Sequence, residues 1–220
     1  MKFTRDEIRK SMLLYAVTDR MWLKPGETLT GVVEDVLKNG ATFLQIREKD
    51  LAPDAFEAEA EALKNLCAQY KVPFVVNDSV EIAMNIDADG VHVGQSDIKG
   101  RDIRAMIGPD KILGISAGTV AEAVAAEKAG ADYIGVGAVF VTSTKKNATP
   151  MTMERLREIV DSVSIPVVAI GGIGAANIAR LSGSGVDGVA VVSAIFGAEH
   201  PGQATARLLK LSTDMVHAHE

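Results

Sequence analysis

The chain has 220 residues, 47% of them hydrophobic and 24% charged, with a formal net charge of −6; that suits one core-forming domain over residues 1–220 and excludes a largely disordered chain. The acidic balance excludes a broad nucleic-acid or anionic-membrane surface, while a local basic pocket for an anionic ligand stays open. The one cysteine, Cys67, excludes an internal disulfide and a cysteine-built metal cluster; its helical setting LKNLCAQY suits a small buried apolar role better than a catalytic thiol.

The start, MKFTRDEIRKSM, is charged throughout rather than apolar, so no secretory signal is read there, and a short extra helix is expected at about residues 4–11. No apolar run is long enough to span a bilayer, and a cytoplasmic protein is expected. Short β-branched apolar runs then recur, each followed by a loop and a segment of helical spacing. The first four are LLYAV (13–17), TFLQIR (42–47), PFVVN (73–77) and GVHVG (90–94). ILGIS (112–116), YIGVG (133–137), PVVAI (166–170) and GVAVV (188–192) complete the set. Between them, residues 53–70 and 119–129 read as helices, the second opening with Thr119 and Glu122 at capping-box spacing. The tail after about residue 212, with His217 and His219, is expected to fray. Near-continuous apolar strands in strict alternation with helices predict a parallel sheet, and eight repeats favour a closed (β/α)₈ TIM barrel over an open doubly wound sheet.

In such a barrel the chemistry sits at the C-terminal ends of the strands. The second strand runs into QIREKD, where two-residue alternation sets Gln45, Arg47 and Lys49 on one side and Ile46 and Glu48 on the other. A guanidinium fork, an ammonium and an amide together suit diphosphate oxygens, although a solvated strand end with surface ion pairs has the same composition. Asp78 and Asp97 end the neighbouring strand regions and could hold a hard cation such as Mg²⁺. Each also reads as a helix cap: Asp78 stands at capping-box spacing from Glu81, and Asp97 precedes IKGRDI. His92, between Val91 and Val93, reads as a satisfied core histidine rather than a proton-transfer group. Ser116 could serve a phosphate, a substrate ring or the backbone. The polar stretch 137–150, with Thr142, Thr144 and Lys145, has the length of an active-site lid or of a plain basic loop. Gly171, Gly172 and Gly174 after the seventh strand, with Val192 and Ser193 after the eighth, sit where barrels frequently bind phosphate through backbone N–H groups. Neither GGIGAA nor GVGAVF fulfils the dinucleotide fingerprint.

Taken in order, YAVTDR (15–20), QIREKD (45–50), VNDSVEIA (76–83), ADGVHVGQSD (88–97), GISAGT (114–119), ADYIGVG (131–137), TSTKK (142–146), IPVVAIGGI (165–173) and DGVAVVSAI (187–195) closely resemble the thiamine-phosphate synthase family. The resemblance covers nearly the whole chain. It implies a transferase that condenses hydroxymethylpyrimidine pyrophosphate with hydroxyethylthiazole phosphate to give thiamine phosphate and pyrophosphate, with Mg²⁺ as cofactor. It further implies that Gln45, Arg47, Lys49 and Asn77 contact the pyrophosphate and that Asp78 and Asp97 hold Mg²⁺. Ser116 and Lys145 would act on the pyrimidine pyrophosphate; Arg47, Lys49, Ser116 and Lys145 are thus the expected catalytic set. Thr142, Thr144, Gly172, Val192 and Ser193 would hold the thiazole phosphate. The expected partners are these two precursors, with neither nucleic acid nor membrane, and a homo-oligomer stays open. Two departures stand out: Ala138 and Val141 replace prolines usual in the family's sixth loop, and Ser79 stands where a second acid is frequent. Two other readings are a thiazole tautomerase, which needs no diphosphate-metal site, and a non-catalytic thiamine-precursor sensor.

Overall fold

A computed structural model describes residues 3–141 and 150–218. Among them, β1 (Leu14–Val17), β2 (Phe43–Ile46), β3 (Phe74–Asn77), β4 (Gly90–Val93), β5 (Ile112–Ala117), β6 (Tyr133–Val136), β7 (Val167–Ile170) and β8 (Gly188–Val191) form a closed parallel barrel in sequence order. The ring shuts where Leu14–Ala16 pair with Val189–Val191. The expected (β/α)₈ barrel is therefore the observed one. Five of the eight strands are buried at every position and the other three at all but one, as β-branched runs covered on both faces should be.

The outer layer holds α2 (Leu29–Lys38), α3 (Pro53–Tyr70), α4 (Val80–Asn85), α5 (Ile103–Ile107), α6 (Val120–Lys128), α7 (Met153–Asp161), α8 (Ser193–Phe196) and α9 (Pro201–Val216), with a short 3₁₀ turn over Ile178–Leu181 after β7. Thr119 caps α6 through its hydroxyl, while the Glu122 carboxylate reaches the Gly118 N–H rather than that of Thr119. Over residues 213–216 the C-terminal tail departs from expectation, while His219 lies outside the described residues. The tail stays helical to Val216 because Met215 is buried and the Ser212 hydroxyl donates to the Leu13 carbonyl, 2.6 Å away.

The expected extra helix is α1 (Arg5–Ser11), started by a full capping box between Thr4 and Glu7. Ile8 and Met12, both fully buried, pack with Tyr15, Phe43, Ile112 and Tyr133 and close the barrel's lower end. Arg9 anchors the helix to Asp187 at 2.5 Å.

That lower end repeats one device at every second strand. The residue just before an even strand accepts a hydrogen bond from the backbone of the preceding odd strand: Thr42 from Leu14, Asp89 from Phe74, Asp132 from Leu113 and Asp187 from Val167, at 2.8–3.0 Å. Side chains thereby satisfy N–H groups at the starts of β1, β3, β5 and β7 that the barrel ladder leaves over. The polar work of the lower end is done by structure, which leaves the upper end for chemistry.

Candidate active site

The C-terminal ends of the strands surround a cavity of about 240 Å³. Gln45, Arg47, Asn77 and Ser116 line it from one side, and Gly172, Val192 and Ser193 from the ends of β7 and β8. Residues far apart in sequence thus share one space.

Arg47 is ordered by the neighbouring strand end. Its backbone N–H donates to the buried Thr18 hydroxyl at 3.0 Å, and Thr18 N–H donates to the Gln45 carbonyl at 3.0 Å. The guanidinium lies 3.6 Å from Asp19, with its side chain 14% exposed. On the other side, Glu48 turns away to Arg20 at 2.8 Å. Lys49 does not join Gln45 and Arg47 at the cavity: β2 ends at Ile46, so no pleat carries the alternation further, and Lys49 is exposed.

Gln45 also stands differently from the expected diphosphate contact. It is buried, and its amide nitrogen donates to the Tyr15 hydroxyl at 2.6 Å, so that donor faces the barrel floor rather than an anion at the mouth. Ser116 bonds neither to backbone nor to solvent alone: its hydroxyl lies 2.9 Å from Nε2 of His92. The His92 ring is satisfied, as expected of a core histidine, with Nδ1 2.9 Å from the Tyr133 hydroxyl.

Neither acidic residue is a helix cap. Ser79 caps α4 through Ile82 N–H, and Asp102 caps α5 through Ala105 N–H. Asp78 instead takes a left-handed φ of 63°, a conformation that Asp tolerates better than most residues, and its carboxylate accepts from Asn77 at 2.7 Å. Asp97 folds back to accept the Gly94 N–H at 2.8 Å. The Asp78 carboxyl is pushed above the usual carboxylate range by desolvation, then by the charge of Asp97 and a hydrogen bond between the two. Because Asp78 as a residue is exposed, the proximity of Asp97 is the weightier cause. Among the described residues no group of three or more His, Cys, Asp or Glu side chains is arranged to hold a metal. Two facing carboxylates still fit a hard cation that completes its shell with phosphate oxygens and water.

At the far side, Val192 occupies the cap position of α8 and provides no side-chain acceptor. Among the described residues the N–H groups of Gly172, Ile173, Ser193 and Ala194 meet no acceptor, which leaves donors for an anion. Gly172, at φ 69°, has a further reason to be glycine: a Cβ there would lie 2.3 Å from the Val141 carbonyl oxygen. The root of the sixth loop is laid across the end of β7, with Val139 and Phe140 N–H donating to the carbonyls of Ile170 and Gly171 at 3.0 Å. Thr142, Thr144 and Lys145 lie outside the described residues.

The family model described as thiamine monophosphate synthase matches residues 14–195. The chain belongs to the thiamine monophosphate synthase family. It is 48% identical over 195 residues to the thiamine-phosphate synthase of Clostridium botulinum, covering 89% of this chain and 91% of the relative. To the thiamine-phosphate synthase of Methanobrevibacter smithii it is 48% identical over 197 residues, 90% of this chain and 93% of the relative. The solved thiamine phosphate pyrophosphorylase of Pyrococcus furiosus superposes with a TM-score of 0.86 at 39% identity, covering 95% of this chain and 99% of that one. Every site residue from Gln45 to Ser193 lies inside the span matched by the thiamine monophosphate synthase model.

Sequence reasoning missed four residues that line the cavity or order its walls. Tyr15 and Gln95 line it, the latter through a 2.7 Å bond from its amide to the Ser116 carbonyl. Tyr133 and Thr18 lie behind it. A signal existed for Tyr133, since alternation in YIGVG puts it on the same inward face as Gly135. Aromatic residues in a buried strand otherwise read as core.

Proposed function

We propose that this member of the family condenses hydroxymethylpyrimidine pyrophosphate, an aminopyrimidine, with hydroxyethylthiazole phosphate, giving thiamine phosphate and pyrophosphate. The observation that carries the reading is the pairing, in one cavity, of an ordered guanidinium at Arg47 with uncapped N–H groups at Gly172 and Ser193. Two anionic groups can thus be held facing each other, as a diphosphate and a phosphorylated acceptor require.

The carbon–oxygen bond to pyrophosphate breaks and a carbon–nitrogen bond to the thiazole forms. In the dissociative order the leaving group departs first, and negative charge grows on its oxygens. Arg47 stabilises that charge from a fixed position, so little reorganisation is spent at the moment of reaction. Lys145 is assigned to the same charge, Asn77 to the pyrophosphate and Ser116 to the pyrimidine half. Thr142 and Thr144, with the Gly172, Val192 and Ser193 backbone, are assigned to the thiazole phosphate. Mg²⁺ held by Asp78 and Asp97 would add Lewis-acid neutralisation of the leaving pyrophosphate when bound. The thiazole nitrogen bears no proton, so no general base is required, and the cavity has no Ser-His-Asp or Cys-His arrangement among the described residues.

Purified protein given both precursors and Mg²⁺ should release pyrophosphate, and Asp97→Ala should largely abolish the release. Tight precursor binding without product would favour a sensor, and rearrangement of a thiazole carboxylate phosphate without pyrophosphate chemistry would favour a tautomerase.

A further inference from the structure

Five side chains from five strands form one continuous hydrogen-bonded chain through the barrel interior. Gln45 on β2 donates through Nε2 to the Tyr15 hydroxyl on β1 at 2.6 Å, and Tyr15 meets Tyr133 on β6 at 2.8 Å. Tyr133 meets Nδ1 of His92 on β4 at 2.9 Å, and Nε2 of His92 meets the Ser116 hydroxyl on β5 at 2.9 Å. Both ends, Gln45 and Ser116, line the cavity. Two glycines make the middle possible: a Cβ on Gly114 would lie 2.2 Å from Tyr133 and 2.5 Å from His92, and one on Gly135 would lie 3.2 Å from His92.

Each hydroxyl in such a chain has one proton to give, so one donor fixes the direction of all the others. Gln45 Nε2 can only donate. Tyr15 therefore gives its proton to Tyr133, Tyr133 gives its own to Nδ1 of His92, and His92 is left to donate from Nε2 to Ser116. The Ser116 proton is then turned out towards the cavity. An imidazolium does not fit, because Nδ1–H would face the Tyr133 oxygen and strand the Tyr133 proton in a buried space. Burial also pushes both phenols up, which keeps their protons in place.

We propose that Tyr15, Tyr133 and His92 are positioning residues that set the hydrogen-bond polarity of the cavity, with Gln45 Oε1 as acceptor and Ser116 O–H as donor, and so select an aminopyrimidine over its oxo counterpart. An aminopyrimidine presents an amine N–H and unprotonated ring nitrogens, which complement that pair. In the oxo form a carbonyl replaces the amine and a neighbouring ring nitrogen gains a proton. To accept it, the whole chain would have to invert, starting with a flip of the Gln45 amide. Discrimination then comes from four coupled bonds rather than from one contact.

The inference rests on the proposed reaction, and the test separates the two. Turnover by wild-type protein with the aminopyrimidine diphosphate, the thiazole phosphate and Mg²⁺ decides the reaction. The polarity is decided by the kcat/KM ratio for that substrate over its oxo analogue in Tyr133→Phe. This change cuts the chain at nearly constant shape and releases His92 to either tautomer. The ratio is expected to fall about tenfold or more, well within what a buried hydrogen-bonding site discriminates. Inhibition by inorganic pyrophosphate with Mg²⁺ should be unchanged. If both substrates slow equally and the ratio holds, the residues are only structural and the inference is overturned. Should Tyr133→Phe not fold, ¹⁵N-histidine NMR of the intact wild-type protein at neutral pH decides instead. A neutral His92 ring with its proton on Nε2 supports the polarity, and a proton on Nδ1 overturns it.

Discussion

Nδ1 of His92 sits 2.9 Å from the Tyr133 hydroxyl because Gly114, between them on β5, has no side chain to keep them apart. Gly114→Ala forces a methyl group into that space, where neither aromatic ring can retreat from a closed barrel. It is expected to cost about 1–3 kcal/mol of stability, as overpacked cores do, and to lower turnover at the same time. Thermal unfolding and initial rates measured on the same preparation check both.

The two acidic residues support a metal prediction that needs no substrate. Facing carboxylates at Asp78 and Asp97 repel each other when ionised, and a divalent cation relieves that repulsion. Mg²⁺ should therefore raise the unfolding midpoint of the wild-type protein at neutral pH. Asp97→Asn keeps an oxygen for the Gly94 N–H and should remove the Mg²⁺ response while leaving the metal-free protein at least as stable. An equal Mg²⁺ shift in the variant would refute the pair as the metal site.

The barrel's lower end gives a contrasting expectation. Asp132→Ala strips the Leu113 N–H of its 2.8 Å acceptor and Arg104 of its carboxylate partner. A buried N–H left without an acceptor costs about 1–3 kcal/mol. Since Asp132 lies at the opposite end from the cavity, chemical unfolding should register the loss while KM for both substrates stays near wild type.

Glu48 supplies the pH dependence. Its side chain is 2% exposed and one carboxylate oxygen meets no partner among the described residues. Its carboxyl is raised by desolvation, only partly offset by Arg20. A raised carboxyl means that the folded state binds the proton more tightly than the unfolded chain does. Its stabilising contribution is thus full below the unfolded carboxylate range and is lost as pH rises through the folded one. Comparing wild type with Glu48→Gln, the difference in unfolding midpoint should move in favour of wild type as pH falls from neutral into the carboxylate range. A difference independent of pH would mean that Glu48 is ionised at ordinary strength.

Much of this was legible because the barrel writes itself as period and order. β-branched runs alternate with helical spacing, and α3 begins at Pro53 and ends at Tyr70 as its composition predicts. Gln45, Arg47, Asn77, Ser116, Gly172, Val192 and Ser193 could be collected at the cavity since each stands at a strand end. What alternation could not reveal is where a strand stops: Lys49 falls beyond β2, and its position is set by the loop. The choice between cap and metal ligand stays open in the sequence for a related reason. Ser, Asp and Asn serve equally well at a helix start, so only the chain's path shows that Ser79 and Asp102 cap while Asp78 and Asp97 do not. The chain from Gln45 to Ser116 joins five strands across the barrel, and no local pattern announces contacts of that separation.

The last prediction concerns how the two ends of the cavity are kept distinct. Gly172 faces the Val141 carbonyl so closely that a methyl group would push the root of the sixth loop off the end of β7, and its φ of 69° strains any other residue. Phe140, in that same root, lies under the Arg180 guanidinium at 5.0 Å, so the loop is held from above as well. Gly172→Ala should therefore disturb the phosphate side while leaving Arg47, Thr18 and Asp19 untouched. KM for the thiazole phosphate is expected to rise about tenfold, the scale of one weakened charge-assisted hydrogen bond, while KM for the pyrimidine diphosphate moves little. Steady-state kinetics with each substrate varied in turn would decide. An equal rise in both constants would mean that the loop root organises the whole mouth of the barrel rather than the phosphate end alone.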